Sequence, residues 1–238
     1  MGFTQPTPIQ EKIIPLMLQG SDVIGQAKTG TGKTAAFGIP IVQVLCEKKV
    51  HGKIVALVVT PTRELAMQVC AELSEIGEFA GVHAVPVYGG QEIERQFREL
   101  SRKPQVVVGT PGRLLDHLER RTLDLSHIEV VVLDEADRML DMGFIDDIKR
   151  ILSHAPSSKQ TALFSATMPN EIMSLARKYL VSPEIVKESS DEELTVEGVT
   201  QYYLSIDGKQ KLDALATILK ERSPRTIVFT RTKYGADR

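Results

Sequence analysis

The stretch Ala27-Lys28-Thr29-Gly30-Thr31-Gly32-Lys33-Thr34 decides the fold. It follows a short apolar run, Asp22-Val23-Ile24-Gly25-Gln26, and opens a helical stretch from Lys33 to Cys46. Strand, loop and helix in that order are the context of a phosphate-binding loop, although Ala27 stands where the usual pattern has its first glycine. Gly30 and Gly32 let the backbone curl so that successive N–H groups face one anion. The start of the following helix adds the positive end of its dipole. Lys33 is then placed to reach the β- and γ-phosphates, and the Thr34 hydroxyl to ligate Mg2+. The bland alternative is a glycine-rich turn with a solvated lysine. The preceding strand and the Lys33-Thr34 pair argue against it.

Outward from the loop, apolar runs alternate with helical patterns. Ile54 to Val59, Val106 to Val108, Val130 to Leu133 and Ala162 to Phe164 are continuous rather than alternating, which fits strands covered on both faces. Leu65, Val69, Leu73 and Ile76 recur at helical spacing, as do Ile145, Ile148 and Leu152. Ile9, Ile13, Leu16 and Leu18 give a short amphipathic helix near the N-terminus. Pro40 lies within the helix after the loop, where it removes a hydrogen bond. The pattern predicts an α/β fold, a doubly wound parallel sheet with helices on both faces.

The chain has 238 residues, 42% hydrophobic and 25% charged, with a net charge of −2. This composition suits a substantial core. The charge excludes wholesale electrostatic binding to nucleic acid, so any such contact must be local. The two cysteines, Cys46 and Cys70, have no metal spacing and sit among apolar neighbours, which predicts buried, reduced thiols. No signal-peptide pattern and no membrane-spanning apolar stretch is present, and the reading is cytoplasmic.

A phosphate-binding loop needs an acid for the metal and a group to orient water. Val130-Val131-Val132-Leu133-Asp134-Glu135 supplies both at the carboxyl end of a strand, where ligands of open α/β sheets bind. Asp134 is expected to hold Mg2+ and Glu135 to activate the attacking water. Lys33 completes the catalytic set.

Asp134-Glu135-Ala136-Asp137 is also where the chain resembles the DEAD-box ATP-dependent RNA helicases. The likeness runs along the whole length. Gly2-Phe3 and Pro6-Thr7-Pro8-Ile9-Gln10 resemble the Q motif, which implies that Gln10 reads the adenine edge and Phe3 stacks on the ring. The Gln amide offers the donor and acceptor that adenine N7 and N6 require. Pro61-Thr62-Arg63-Glu64-Leu65-Ala66 resembles motif Ia, Gly89-Gly90 the GG doublet, and Thr110-Pro111-Gly112-Arg113 motif Ib. The resemblance implies that these three grip an RNA sugar–phosphate backbone, with little sequence preference because no base-reading residues accompany them. Ser165-Ala166-Thr167 resembles motif III, which implies coupling of the nucleotide site to RNA through Asp137, Ser165 and Thr167. Ile227-Val228-Phe229-Thr230 resembles motif IV. The implied fold is a RecA-like P-loop NTPase.

The composition changes near residue 187. Residues 1–187 read as the N-terminal RecA-like ATP-binding domain, 188–195 as an acidic linker, and 196–238 as the beginning of a second RecA-like domain. In that last segment Val199 to Ile206 and Thr226 to Phe229 are strand candidates, and Gln210 to Glu221 a helix. Motifs V and VI, with the second domain's arginines, have no counterpart here, so the sequence reads as truncated and nearly inactive by itself. The leading expectation is the N-terminal ATPase domain of an RNA helicase that hydrolyses ATP with Mg2+. Two rivals are an ATP-gated RNA clamp, which Glu135 argues against, and a small-molecule P-loop kinase, which gives no reason for motifs Ia and Ib.

Overall fold

Continuous β-branched runs have no polar face to leave in water, so they end up in the middle of the sheet. In the computed structural model, which describes residues 4–48, 52–187, 200, 202–222, 225–230 and 232, the chain divides into two units, residues 1–192 and 193–238. In the first unit α1 (Pro8–Leu18) leads into β1 (Val23–Gln26) and α2 (Lys33–Lys48). Then follow β2 (Ala56–Val59), α3 (Arg63–Ile76), β3 (Ala84–Val87), α4 (Ile93–Ser101), β4 (Val106–Gly109) and α5 (Pro111–Glu119). The unit closes with β5 (Val130–Leu133), α6 (Ala136–Asp141), α7 (Ile145–Ser153), β6 (Gln160–Ser165), α8 (Asn170–Tyr179) and β7 (Glu184–Lys187).

All the strand pairings are parallel, and the seven strands lie in the order β3-β4-β2-β5-β6-β1-β7. Each strand puts alternate residues on opposite faces. Val58 and Ala56 join Ile13, Phe37 and Leu73 in a core under α1, α2 and α3. Leu57 and Val59 join Leu114, Met139, Ile148 and Ile172 under α5 to α8. This is the doubly wound parallel arrangement that the apolar runs predict. Because β5 and β6 insert between β1 and β2, the loops leaving β1, β5 and β6 become neighbours at the carboxyl edge. Gln26 is level with Ser165, and Leu133 with Leu163.

Several expectations need correction. β3 and β7 are strands that the apolar runs do not reveal. Ala84-Val85-Pro86-Val87 carries a proline, tolerated because β3 is an edge strand. Glu184–Lys187 buries only Val186, since β7 is the other edge. Cys70 is buried, and burial pushes its thiol up to about 11, but Cys46 is exposed because it falls on the outer face of α2. Leu18 is exposed as well, and Met17 takes the buried position of α1. In the second unit the described residues form the helix α9 (Lys211–Arg222), and no strand is present over the described parts of 199–206 and 226–229. A strand exists only as a paired element, so an apolar β-branched run without a ladder is not one.

Candidate functional site

The loop after β1 is shaped by two left-handed glycines, Gly30 at φ +88° and Gly32 at φ +86°. Gly32 is also a close approach, because a Cβ there would stand 2.4 Å from Gln10 Nε2. The N-terminal segment braces the loop from outside. Gln10 Nε2 donates to Gly32 O at 3.1 Å, Thr7 Oγ1 donates to Thr31 O at 2.9 Å, and Thr7 N donates to Gln10 Oε1 at 3.0 Å. One amide hydrogen and one lone pair of Gln10 are thus engaged within the protein, leaving one of each. Thr31 Oγ1 closes the turn on Lys28 O at 3.0 Å. Lys33 opens α2, is buried, and donates to Ala27 O at 3.2 Å, so its ammonium lies across the loop. Phe3 lies outside the described residues.

The acidic strand end faces that lysine. Asp134 and Glu135 are buried, and Glu135 adopts φ +53°, a conformation that non-glycine residues rarely hold. Thr29 Oγ1 stands 3.4 Å from Glu135 Oε1, and Arg138 Nη1 stands 3.1 Å from Glu135 Oε2. Burial pushes the Asp134 carboxyl up to about 6, opposed by the Lys33 ammonium and reinforced by Glu135. Glu72 on α3 is a further acid that sequence reasoning does not find. Burial raises it, while a hydrogen bond with Thr34 pulls it back, and its charge acts on Asp134. Among the described residues no group of three or more His, Cys, Asp or Glu stands ready for a metal. Of the oxygen groups at the loop, the Thr34 hydroxyl and the Asp134 carboxylate are the pair expected to meet a metal. That hard, sparse set fits Mg2+, which uses one or two protein oxygens and takes the rest from phosphate and water.

Beside the acids, Ser165 Oγ accepts the Asp137 amide at 3.0 Å, and Asp137 Oδ2 accepts both the amide and hydroxyl of Thr167, at 2.8 and 2.9 Å. Burial works against ionisation of Asp137, but the Thr167 and Ser165 hydrogen bonds hold its carboxyl below the usual range. These three residues join the exits of β5 and β6. A hollow of about 220 Å3 between Thr29, Lys33, Glu135, Asp137 and Arg138 opens there. A larger cavity of about 760 Å3 lies at the opposite end of the strands, beside Asp22 and the Lys48–Glu129 ion pair, away from this chemistry.

A second group sits at the carboxyl ends of β2, β3 and β4. Pro61 is buried, Thr62 caps α3 by accepting Leu65 N at 3.3 Å, and Arg63 lies 5.2 Å from the Tyr88 ring centre with its side chain exposed. Gly90 has φ +80°, and neither Gly89 nor Gly112 has anything within 4 Å of where a Cβ would stand. Thr110 N donates to Val87 O at 3.0 Å, and Pro111 opens α5. Arg113, an expected RNA contact, is engaged within the protein. Its side chain is 15% exposed, its Nη1 donates to Gln91 O at 3.0 Å, and Asp116 lies 3.9 Å away. Arg113 braces the glycine loop. Tyr88, Gln91, Gln96 and His117 complete this region, and no sequence motif singles them out.

The family model described as DEAD/DEAH box helicase matches residues 7–175. A DEAD-box ATP-dependent RNA helicase CshA of Geobacillus kaustophilus is 56% identical over all of this chain and 50% of its own length. The protein of the same name from Bacillus subtilis is 52% identical over all of this chain and 48% of its own. The chain spans about half the length of the curated relatives it matches. Among solved structures, a DEAD box protein from Methanococcus jannaschii superposes with TM-score 0.75 at 41% identity, over 92% of this chain and 58% of that one. A hypothetical ATP-dependent RNA helicase from Sulfolobus tokodaii gives TM-score 0.73 at 45% identity, over 79% and 54%.

Proposed function

Because this chain belongs to the DEAD/DEAH box helicase family, we propose that it is the ATP-binding, RNA-gripping RecA-like unit of an ATP-dependent RNA helicase. The observation that carries the reading is the meeting of Thr29 and Glu135, which brings the phosphate loop and the acidic strand end to 3.4 Å. Residues 27–34 hold the phosphates of ATP, and Lys33 exchanges its bond to Ala27 O for the β- and γ-phosphate oxygens. Gln10 uses its remaining donor and acceptor on adenine, and Phe3 stacks on the base. Thr34 and Asp134 hold Mg2+. When bound, that ion neutralises phosphate charge and fixes the geometry of the γ-phosphate.

Glu135 accepts the proton of the attacking water. Its strained backbone aims the carboxylate into the hollow, and release from Arg138 frees the Oε2 that does the work. Arg63, Gly89, Gly90 and the start of α5 at Thr110, Pro111 and Gly112 present N–H groups and charge to the RNA backbone, with Pro61 and Thr62 setting the turn and Arg113 bracing it. Asp137, Ser165 and Thr167 couple the two regions. Residues 188–195 connect this domain to a second RecA-like domain that begins at 196, and the protein acts in the cytoplasm. No described helix is long and apolar enough to cross a membrane. The test is ATP turnover with and without single-stranded RNA in the protein extended to the length of its relatives. RNA-stimulated hydrolysis and strand separation are expected, and turnover indifferent to RNA removes the reading.

A further inference from the structure

Beneath the glycine loop runs a buried polar chain that the nucleotide site does not use. Gln96 on α4 and His117 on α5 are 1% and 0% exposed. Gln96 Nε2 donates to Tyr88 O at 2.8 Å and to Gln91 Oε1 at 3.0 Å. His117 Nε2 lies 3.0 Å from Gln96 Oε1, and His117 Nδ1 lies 2.9 Å from Thr122 Oγ1. Phe97 meets the imidazole edge-on at 5.4 Å and fixes its plane.

Counting donors decides the proton positions. Gln96 spends both amide hydrogens on the loop, so its Oε1 accepts, and His117 Nε2 must carry the proton. Burial, with the Arg113 guanidinium adding to it, pushes the imidazole down to about 4, so the ring is neutral and Nδ1 is bare. Nδ1 therefore accepts from the Thr122 hydroxyl, whose one hydrogen it shares with His117 O at 3.1 Å. From the imidazole onward the donors run one way, from His117 Nε2 to Gln96 and from Gln96 to the loop.

A Gly-Gly segment has no side chains of its own to hold its shape. We infer that Gln96 and His117 are positioning residues that pin residues 88–91 in the shape presented to an RNA backbone, jointly with Arg113, whose Nη1 holds Gln91 O at 3.0 Å. This rests on the backbone-grip reading above. A loop pinned at Tyr88 O, at the Gln91 side chain and at Gln91 O does not have to be ordered when the ligand arrives.

The experiment is binding of a fluorescently labelled single-stranded oligouridylate by this chain, followed by anisotropy, beside binding of a fluorescent ADP analogue. Gln96→Met keeps the volume and removes the donors. It should weaken RNA binding about fivefold or more and leave ADP-analogue affinity at the parental value. Gln96→Met combined with Arg113→Ala should bind no more weakly than the poorer single variant, since both free the same loop. Parental RNA affinity in Gln96→Met, or strictly additive losses in the pair, overturns the inference. If Gln96→Met does not fold, Gln91→Ala carries the same comparison. A loss that is not additive with Arg113→Ala then supports the inference, and parental affinity overturns it. Arg63→Ala separates the two levels. Parental RNA affinity in that variant removes the backbone grip itself, whereas weakened Arg63→Ala with parental Gln96→Met removes only the positioning role.

Discussion

Thr167 gives both its amide and its hydroxyl to one oxygen of Asp137, at 2.8 and 2.9 Å. The bond joins the exit of β6 to the first turn of α6, one residue beyond the Asp134-Glu135-Ala136 turn. Anything that moves the loop after β6 therefore moves the frame holding Glu135. Thr167→Val keeps the amide and the shape but loses the hydroxyl bond. ATP affinity should stay near the parental value while RNA stimulation of hydrolysis falls several-fold. Equal stimulation by RNA in variant and parent would separate Asp137 from the coupling role.

Lys33→Ala removes the cation that lies across the loop and that the proposed function assigns to the β- and γ-phosphates. Calorimetric titration of ATP should show binding weakened about a hundredfold or lost. The fold should survive, because the hydrogen bond lost with the Lys33 side chain is the one to Ala27 O. Unchanged affinity contradicts the phosphate assignment.

Glu135→Gln keeps the size of the side chain and can still receive the Thr29 hydroxyl, but it cannot take a proton from water. ATP–Mg2+ affinity should change little, and steady-state hydrolysis in the protein extended to its relatives' length should drop about a hundredfold or more. Turnover at the parental rate would place the base elsewhere.

Asp134 supplies a pH dependence whose sign is fixed by its burial. Its folded carboxyl titrates near 6, above the ordinary value of 3.8, so the folded protein holds a proton there that the unfolded chain has released. That contribution to stability is fully present below the ordinary value and is lost as pH rises through about 6. Asp134→Asn removes the buried charge. Thermal unfolding without nucleotide should show the variant more stable than the parent at neutral pH, with the difference shrinking as the pH falls through about 6 toward the ordinary value of 3.8 and constant below it. A variant less stable at neutral pH contradicts this.

Asp22 is a structural acid at the other end of the sheet. It is buried, with Oδ1 accepting Thr161 N at 2.7 Å and Oδ2 accepting Val181 N at 2.6 Å, which ties β1 to β6 and to the turn before β7. Asp22→Ala strands both amides and should cost about 3 kcal/mol. Chemical denaturation measures it, with nucleotide affinity as the unaffected control. A loss within experimental error of zero would mean that water or rearrangement replaces the carboxylate.

What the sequence determined by itself was whatever chemistry is written in contiguous residues. The loop Ala27 to Thr34 carries its glycines, lysine and hydroxyl within one turn of chain, and the valine runs around residues 58, 107 and 131 fit strands covered on both faces. Those patterns depend on local conformation and on burial, which short stretches encode directly. The tertiary structure decided which of these pieces meet. Thr29 and Glu135 are 106 residues apart in sequence, and only the insertion of β5 and β6 between β1 and β2 brings them together. Glu72 and Arg138 join the acids from α3 and α6, and nothing in their local sequence marks them. The bracing contact of Arg113 with Gln91 O exists only once α5 places the two side by side. The Gln96–His117 chain is invisible to any motif, because a buried polar group is defined by its partners, and those partners are set by packing. Edge position hid β3 and β7 for the same reason. β7 buries only Val186, and β3, though mostly buried, is interrupted by Pro86, which only an edge strand tolerates.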